Sequence, residues 1–202
     1  SFFNSIISFG PNQFTYGILK LNLSNLDNAK AYNFGLSDQK KKLPYNFNYE
    51  NLGLGTFNSE KKQDIVTKIE TRVFDDEFPN IITGFVKIDV EGFEYRVLKG
   101  MKKTLKKHLP IICFEYQSNK NGIESVLFLK DLGYDKFIYP KLKSNKKFNH
   151  SFLGRFLFIR FFRFLFRFFK GNDYKLEQFN IKDNIVTELL ICQASNSIYK
   201  LA

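Results

Sequence analysis

Apolar positions along the chain switch between a period of two and a helical period. Ser5-Ile6-Ile7-Ser8-Phe9 is a short apolar run stopped by Gly10-Pro11-Asn12, which predicts a strand. Phe14 to Leu26 then carries Tyr16, Leu19, Leu23 and Leu26 on one helical face. Ala29 to Leu36 predicts a strand closed by Ser37-Asp38, and Ile65 to Phe74 alternates as another. Phe85, Val86, Ile88 and Val90 form the β-branched run of a buried strand. Gly92 breaks it, and Phe93, Val97, Leu98, Met101 and Leu105 resume at helical spacing in a helix read on to His108. Leu109 to Glu115 predicts a further buried strand, and Gly122 to Leu132 a helix that Gly133 ends with a left-handed cap. Tyr134 to Tyr139 and Ile185 to Gln193 predict the last two strands. This alternation predicts an α/β fold, a three-layer sandwich in one domain covering residues 1–202.

Composition changes that picture little, but the distribution of charge changes it more. The chain is 44% hydrophobic and 25% charged, which is globular composition and argues against wholesale disorder. Nine of its eleven net positive charges lie in Lys141–Lys170, which holds no acid. The rest of the chain is nearly neutral, unlike a nucleic-acid enzyme with a basic active face. Cys113 and Cys192 sit in apolar runs outside any CxxC or Cys/His cluster, which predicts buried thiols in a reducing, cytoplasmic setting. His108 and His150 fall in no motif and read as surface residues.

The candidate chemistry lies where the central strand meets its helix. Asp89 and Glu91 are two apart and so share one face or edge, while Glu94 opens the helix, where the macrodipole favours a carboxylate. Glu94 as a helix-start residue and Glu91 as turn chemistry are the plainer readings. Asp89 resists one, because a carboxylate in an apolar run is costly to bury unpaired.

Asp89-Val90-Glu91-Gly92-Phe93-Glu94, followed by Val97-Leu98-Lys99-Gly100-Met101 and Pro110-Ile111-Ile112-Cys113-Phe114-Glu115, resembles the FkbM family of S-adenosylmethionine-dependent O-methyltransferases. The resemblance implies a Rossmann-like class I methyltransferase sandwich with S-adenosylmethionine as cofactor. The implied acceptor is a hydroxyl of a sugar, glycan or related small molecule. It makes Asp89, Glu91, Glu94 and Glu115 the catalytic candidates, and Asn12, Ser37, Asp38 and Asp89 the cofactor-binding ones. Asp38 would lie near the adenine, although Ser37-Asp38 also suits a plain turn before Gln39-Lys40-Lys41-Lys42. The loop Asn51–Gly55 would approach the site. No metal ligand set is read. The chain departs from the family in two ways. Gly10 stands where the family has an acid for the ribose hydroxyls, and no glycine-rich loop precedes Ser5. The first, central strand is therefore expected to be missing. A catalytically incomplete fragment or pseudoenzyme on a membrane is the alternative.

Residues 141–170 predict a basic, Phe/Arg-rich amphipathic insertion before the last strand, with its helix over Ser151–Lys170. At about 100° per residue, Arg160, Arg163, Arg167 and Lys170 share an arc of roughly 80° opposite Phe, Leu and Ile. Arginine costs about 2.5–3.5 kcal/mol at a bilayer centre, so a membrane span is excluded. Phe152–Lys170 is expected to lie on an anionic membrane surface or to pack its Phe face on the sheet, with nucleic acid disfavoured.

Overall fold

β1 (Ile6–Phe9) runs parallel to β2 (Ala29–Tyr32), and α1 (Gln13–Leu23) is the crossover between them. Asn12 caps α1, its side-chain oxygen accepting from the Phe14 N–H at 2.8 Å. The computed structural model describes residues 3–50, 52, 55–57, 65–142, 174–182 and 185–200.

The strand predicted over Ala29–Leu36 is two strands in two sheets. Asn33 donates to the Gly10 carbonyl at 2.7 Å, pinning the chain after β2. β3 (Gly35–Leu36) then pairs in parallel with β5 (Ile65–Arg72), whose other edge takes β4 (Lys41–Phe47) antiparallel. The sequence pattern missed β4, because its first residues belong to a lysine run and Pro44 interrupts it. Pro44 suits an edge strand, which can lack one ladder N–H. The far half of β4 is buried, at Tyr45, Asn46 and Phe47.

The largest sheet has the order β6-β7-β10-β8-β9, built from β6 (Phe85–Ile88), β7 (Ile111–Tyr116), β8 (Lys136–Leu142), β9 (Tyr174–Gln178) and β10 (Thr187–Gln193). β6 and β7 are parallel, and every other pairing in this sheet is antiparallel. The α/β architecture is as expected, but it comprises separate sheets. No strand joins β1 to β6 among the described residues. Lys141 and Leu142 belong to β8, and the rest of the expected insertion, including Phe152–Lys170, lies outside the described residues. None of the described helices is long and apolar enough to cross a membrane.

The single helix predicted from Phe93 is broken into α3 (Glu94–Gly100) and α4 (Lys102–His108). Two contacts place the break. A Cβ on Gly100 would collide with the Ser37 carbonyl oxygen, so the chain of Ser37-Asp38 packs directly on α3 there. Asp75, in α2 (Phe74–Glu77), then caps α4 from outside. Its carboxylate accepts from the backbone N–H groups of Lys103 (2.6 Å) and Thr104 (3.0 Å) and from the Thr104 hydroxyl (2.6 Å). α5 (Lys120–Asp131) ends as predicted, with Gly133 at φ 99°. The main core joins α3, α4 and α5 to one face of the large sheet through Leu98, Leu105, Ile112, Phe114, Leu129 and Leu190. A smaller cluster of Ile111, Cys113, Leu189 and Ile191 covers the other face, with Tyr199 packed against it. Both cysteines are buried free thiols. His108 is partly buried, and its Nδ1 accepts from the Thr83 N–H at 3.3 Å, so the surface reading of it is corrected.

Candidate active site

The turn after β6 is held in an unusual conformation. Glu91 has φ 53° and Gly92 φ 94°, two consecutive residues in the left-handed region. Glycine adopts that region freely, whereas glutamate does so at a cost that the surroundings must offset. Three contacts do this. The Thr56 hydroxyl donates to the Glu91 carbonyl at 2.9 Å, and Val90 O lies 3.5 Å away. Glu94, 3% exposed, accepts from the Gly92 N–H at 2.9 Å through Oε1 and from Asn121 Nδ2 at 2.5 Å through Oε2. Asn121 in turn accepts from the Tyr95 N–H at 3.2 Å, tying the start of α3 to α5. Both oxygens of Glu94 are thus engaged inside the protein, and its work in this geometry is to fix the turn.

That turn delivers Asp89 and Glu91 to the carboxyl edge of β6, beside Glu115 at the end of parallel neighbour β7. Carboxylate oxygens of Asp89, Glu91 and Glu115 lie within 4.8 Å of one another, the one such acid group among the described residues. Oxygen donors this close suit a hard divalent cation. The protein supplies some positive charge itself: Lys87 Nζ stands 3.5 Å from Asp89 Oδ2. Gln117 Nε2 donates to Glu115 Oε1 at 2.9 Å, orienting that side chain. Tyr45, buried on β4, has its phenol pushed up to about 12 by burial and by the negative charge of Glu91.

The other predicted residues are placed differently. Asn12 is 2% exposed, and its Nδ2 is a buried donor with no acceptor. Ser37 is buried, with its hydroxyl 3.2 Å from Asp38 Oδ1. Asp38 is not open to a ligand as it stands. Its carboxylate pairs with Arg96 Nη1 at 3.1 Å and Lys99 Nζ at 2.9 Å. Burial alone would raise its pKa, but hydrogen bonds from Lys99 and Arg96 outweigh that and hold it below the usual carboxylate value. Of the loop expected near the site, Leu52 and Gly55 are described, and Thr56 just beyond it makes the contact with Glu91. Thr56 and Asn121 escaped sequence reading, since nothing local marks a Thr or Asn that bonds a turn about thirty residues away.

An aromatic row connects these parts. Phe93 of the turn meets Phe57 at 5.3 Å between ring centroids, Phe57 meets Tyr45 at 4.8 Å, and Tyr45 meets Phe47 at 6.2 Å. Phe47 reaches Tyr49 and, at 6.4 Å, Phe14 near the start of α1. The β4–β5 hairpin therefore walls the region between the carboxyl ends of β1 and β6.

The family model of the Methyltransferase FkbM domain matches residues 4–176. A solved structure, the methyltransferase FkbM from Methylobacillus flagellatus KT at 2.20 Å resolution, is similar at 14% identity with a TM-score of 0.48. The alignment covers 70% of this chain and 34% of that one, so the chain spans about a third of that protein's length. No curated protein matches. With the match extending over most of its length and including the turn from Asp89 to Glu94, the chain belongs to the FkbM methyltransferase domain family.

Proposed function

We propose that the protein transfers a methyl group from S-adenosylmethionine to a hydroxyl of a sugar, glycan or related small acceptor. The observation that carries this reading is the gathering of Asp89, Glu91 and Glu115 at the carboxyl edge of two parallel strands, the edge where open α/β sheets bind ligands. The residues present fit the cofactor in that Asn12 holds an unsatisfied buried donor just past the carboxyl end of β1. Asn12 and Asp89 are the residues that would hold it, and when bound it supplies an electrophilic methyl on a sulfonium. Asp89 and Glu91 orient the acceptor hydroxyl, and one of them takes its proton as the new bond forms. Glu115, steadied by Gln117, contributes to the same field. Glu94 and Asn121 keep the turn in place.

A competing reading, a catalytically incomplete protein, draws on Gly10. A side chain there would press on Tyr16 and Leu19 of α1, so the acid found in the family has been replaced by close packing. Calorimetric titration of S-adenosylmethionine into the full-length protein separates the two. The methyltransferase reading expects saturable binding that Asp89→Ala weakens at least about tenfold, the loss of one charged hydrogen bond. A folded full-length protein that takes up no cofactor would sink it.

A further inference from the structure

A cleft of about 530 Å3 opens between β4 and the helices α3 and α5. Gly92, next to Glu91, forms part of its lining, so the cleft adjoins the strained turn. We propose that it is the acceptor subsite, and that it takes a small ring-bearing anion. This inference rests on the methyltransferase reading and names the class of acceptor for it.

The charge of the cleft is the first argument. Lys41, Arg96 and Lys99 line it. Asp38 pairs with two of these from a position only 9% exposed, while the Arg96 and Lys99 side chains remain 49% and 42% exposed. One carboxylate thus fixes two cations from behind without using up their donors; a guanidinium alone has five N–H groups. Lys41 is exposed and has no ion pair among the described residues. Of the lining residues themselves three are cations and one, Glu124, is an acid, while Asp38, Glu91 and Glu94 lie behind or beside the cleft, so the positive charge is local to Lys41, Arg96 and Lys99 and not a net charge of the region. Cations held in place before binding lose little freedom when an anion arrives.

The walls are the second argument. Phe57, Phe93 and Tyr95 line the same cleft, with Leu43 and Pro44 as further apolar surface. Arg96 lies 6.0 Å from the Phe93 ring centroid and Lys99 Nζ 5.5 Å from that of Tyr95, so charge and ring surface are adjacent. A ligand with an anionic group on a flat or puckered ring meets both. Asn121 and Glu124 offer hydrogen bonds to ring hydroxyls, and the volume suits one small molecule.

The test uses phenyl phosphate, benzoate, phenol and inorganic phosphate as probes, titrated by NMR against the full-length protein and its Lys41→Gln and Arg96→Gln variants. Lys41 stands outside the Asp38 pairings, so its variant leaves them intact. The expected result is that an anionic ring binds about tenfold or more tightly than either phenol or inorganic phosphate. Each substitution should then weaken it by a similar factor, as loss of a charged hydrogen bond does. Whichever of phenyl phosphate and benzoate binds more tightly identifies the anionic group. Anionic rings no tighter than phenol, or affinities unmoved in both variants, would overturn the subsite. Cofactor titration on the same samples keeps the two conclusions apart. Cofactor uptake without probe binding removes the subsite alone, and probe binding without cofactor uptake removes the methyltransferase reading.

Discussion

Asp38 shows how far a residue's neighbours decide its role. The Ser-Asp pair is compatible with a turn or with contact to a cofactor, and the local sequence does not separate these. The fold brings Arg96 and Lys99 of α3 to it from nearly sixty residues away. Its carboxyl is held below its ordinary 3.8, so the stability it contributes is fully present above that unfolded value. It is lost as pH falls through the folded value. Asp38→Asn should therefore cost about 0.5–1 kcal/mol at neutral pH, a figure kept small by the exposure of both partners. The difference from the native protein should close below pH 3.8, as read by urea denaturation over a pH series. A gap that persists in acid would mean that packing, not charge, was lost. Asp89 draws attention in the sequence as an acid in an apolar run that would be costly to bury unpaired, but it follows the end of β6, is exposed and stands 3.5 Å from Lys87 Nζ, so that expectation is corrected. Thr56 and Asn121 were not legible in the sequence, because a hydrogen bond across tertiary distance leaves no local pattern.

Among the elements, those with a strong period were the ones the sequence announced. β6, β7, β10 and α5 fall within or close to their predicted spans because burial on a sheet face imposes the pattern that was read. β4 hid behind lysines and a proline, and the break between α3 and α4 hid inside an unbroken helical period. That break depends on Asp75, a residue of the polar stretch after β5, which satisfies N–H groups at the start of α4. Asp75→Ala would leave those donors buried without an acceptor, at a cost of about 2–3 kcal/mol in chemical denaturation. Asp75→Asn retains one acceptor oxygen and should recover part of that loss. Equal losses for the two variants would show that the cap is not what matters there.

Seen whole, the large sheet is covered on both faces, and its two thiols report on one face each. Burial pushes Cys113 up to about 12 and holds Cys192 well above the ordinary thiol value, so neither is a reactive thiolate at neutral pH. In native protein both should resist a thiol reagent such as iodoacetamide, and labelling should follow unfolding across a urea gradient. Labelling of Cys113 well before Cys192 would mean that the thinner layer under Tyr199 opens independently.

β10 lies between β7 and β8 although both are earlier in the chain. On a ribosome those two strands emerge with a strand-wide space between them, and some forty-five residues follow β8 before Thr187 appears. At about 5–20 residues per second the nascent chain spends seconds with both inner strand edges open. Cellular yield of this protein should therefore depend more on chaperone supply during synthesis than on the stability of the finished fold.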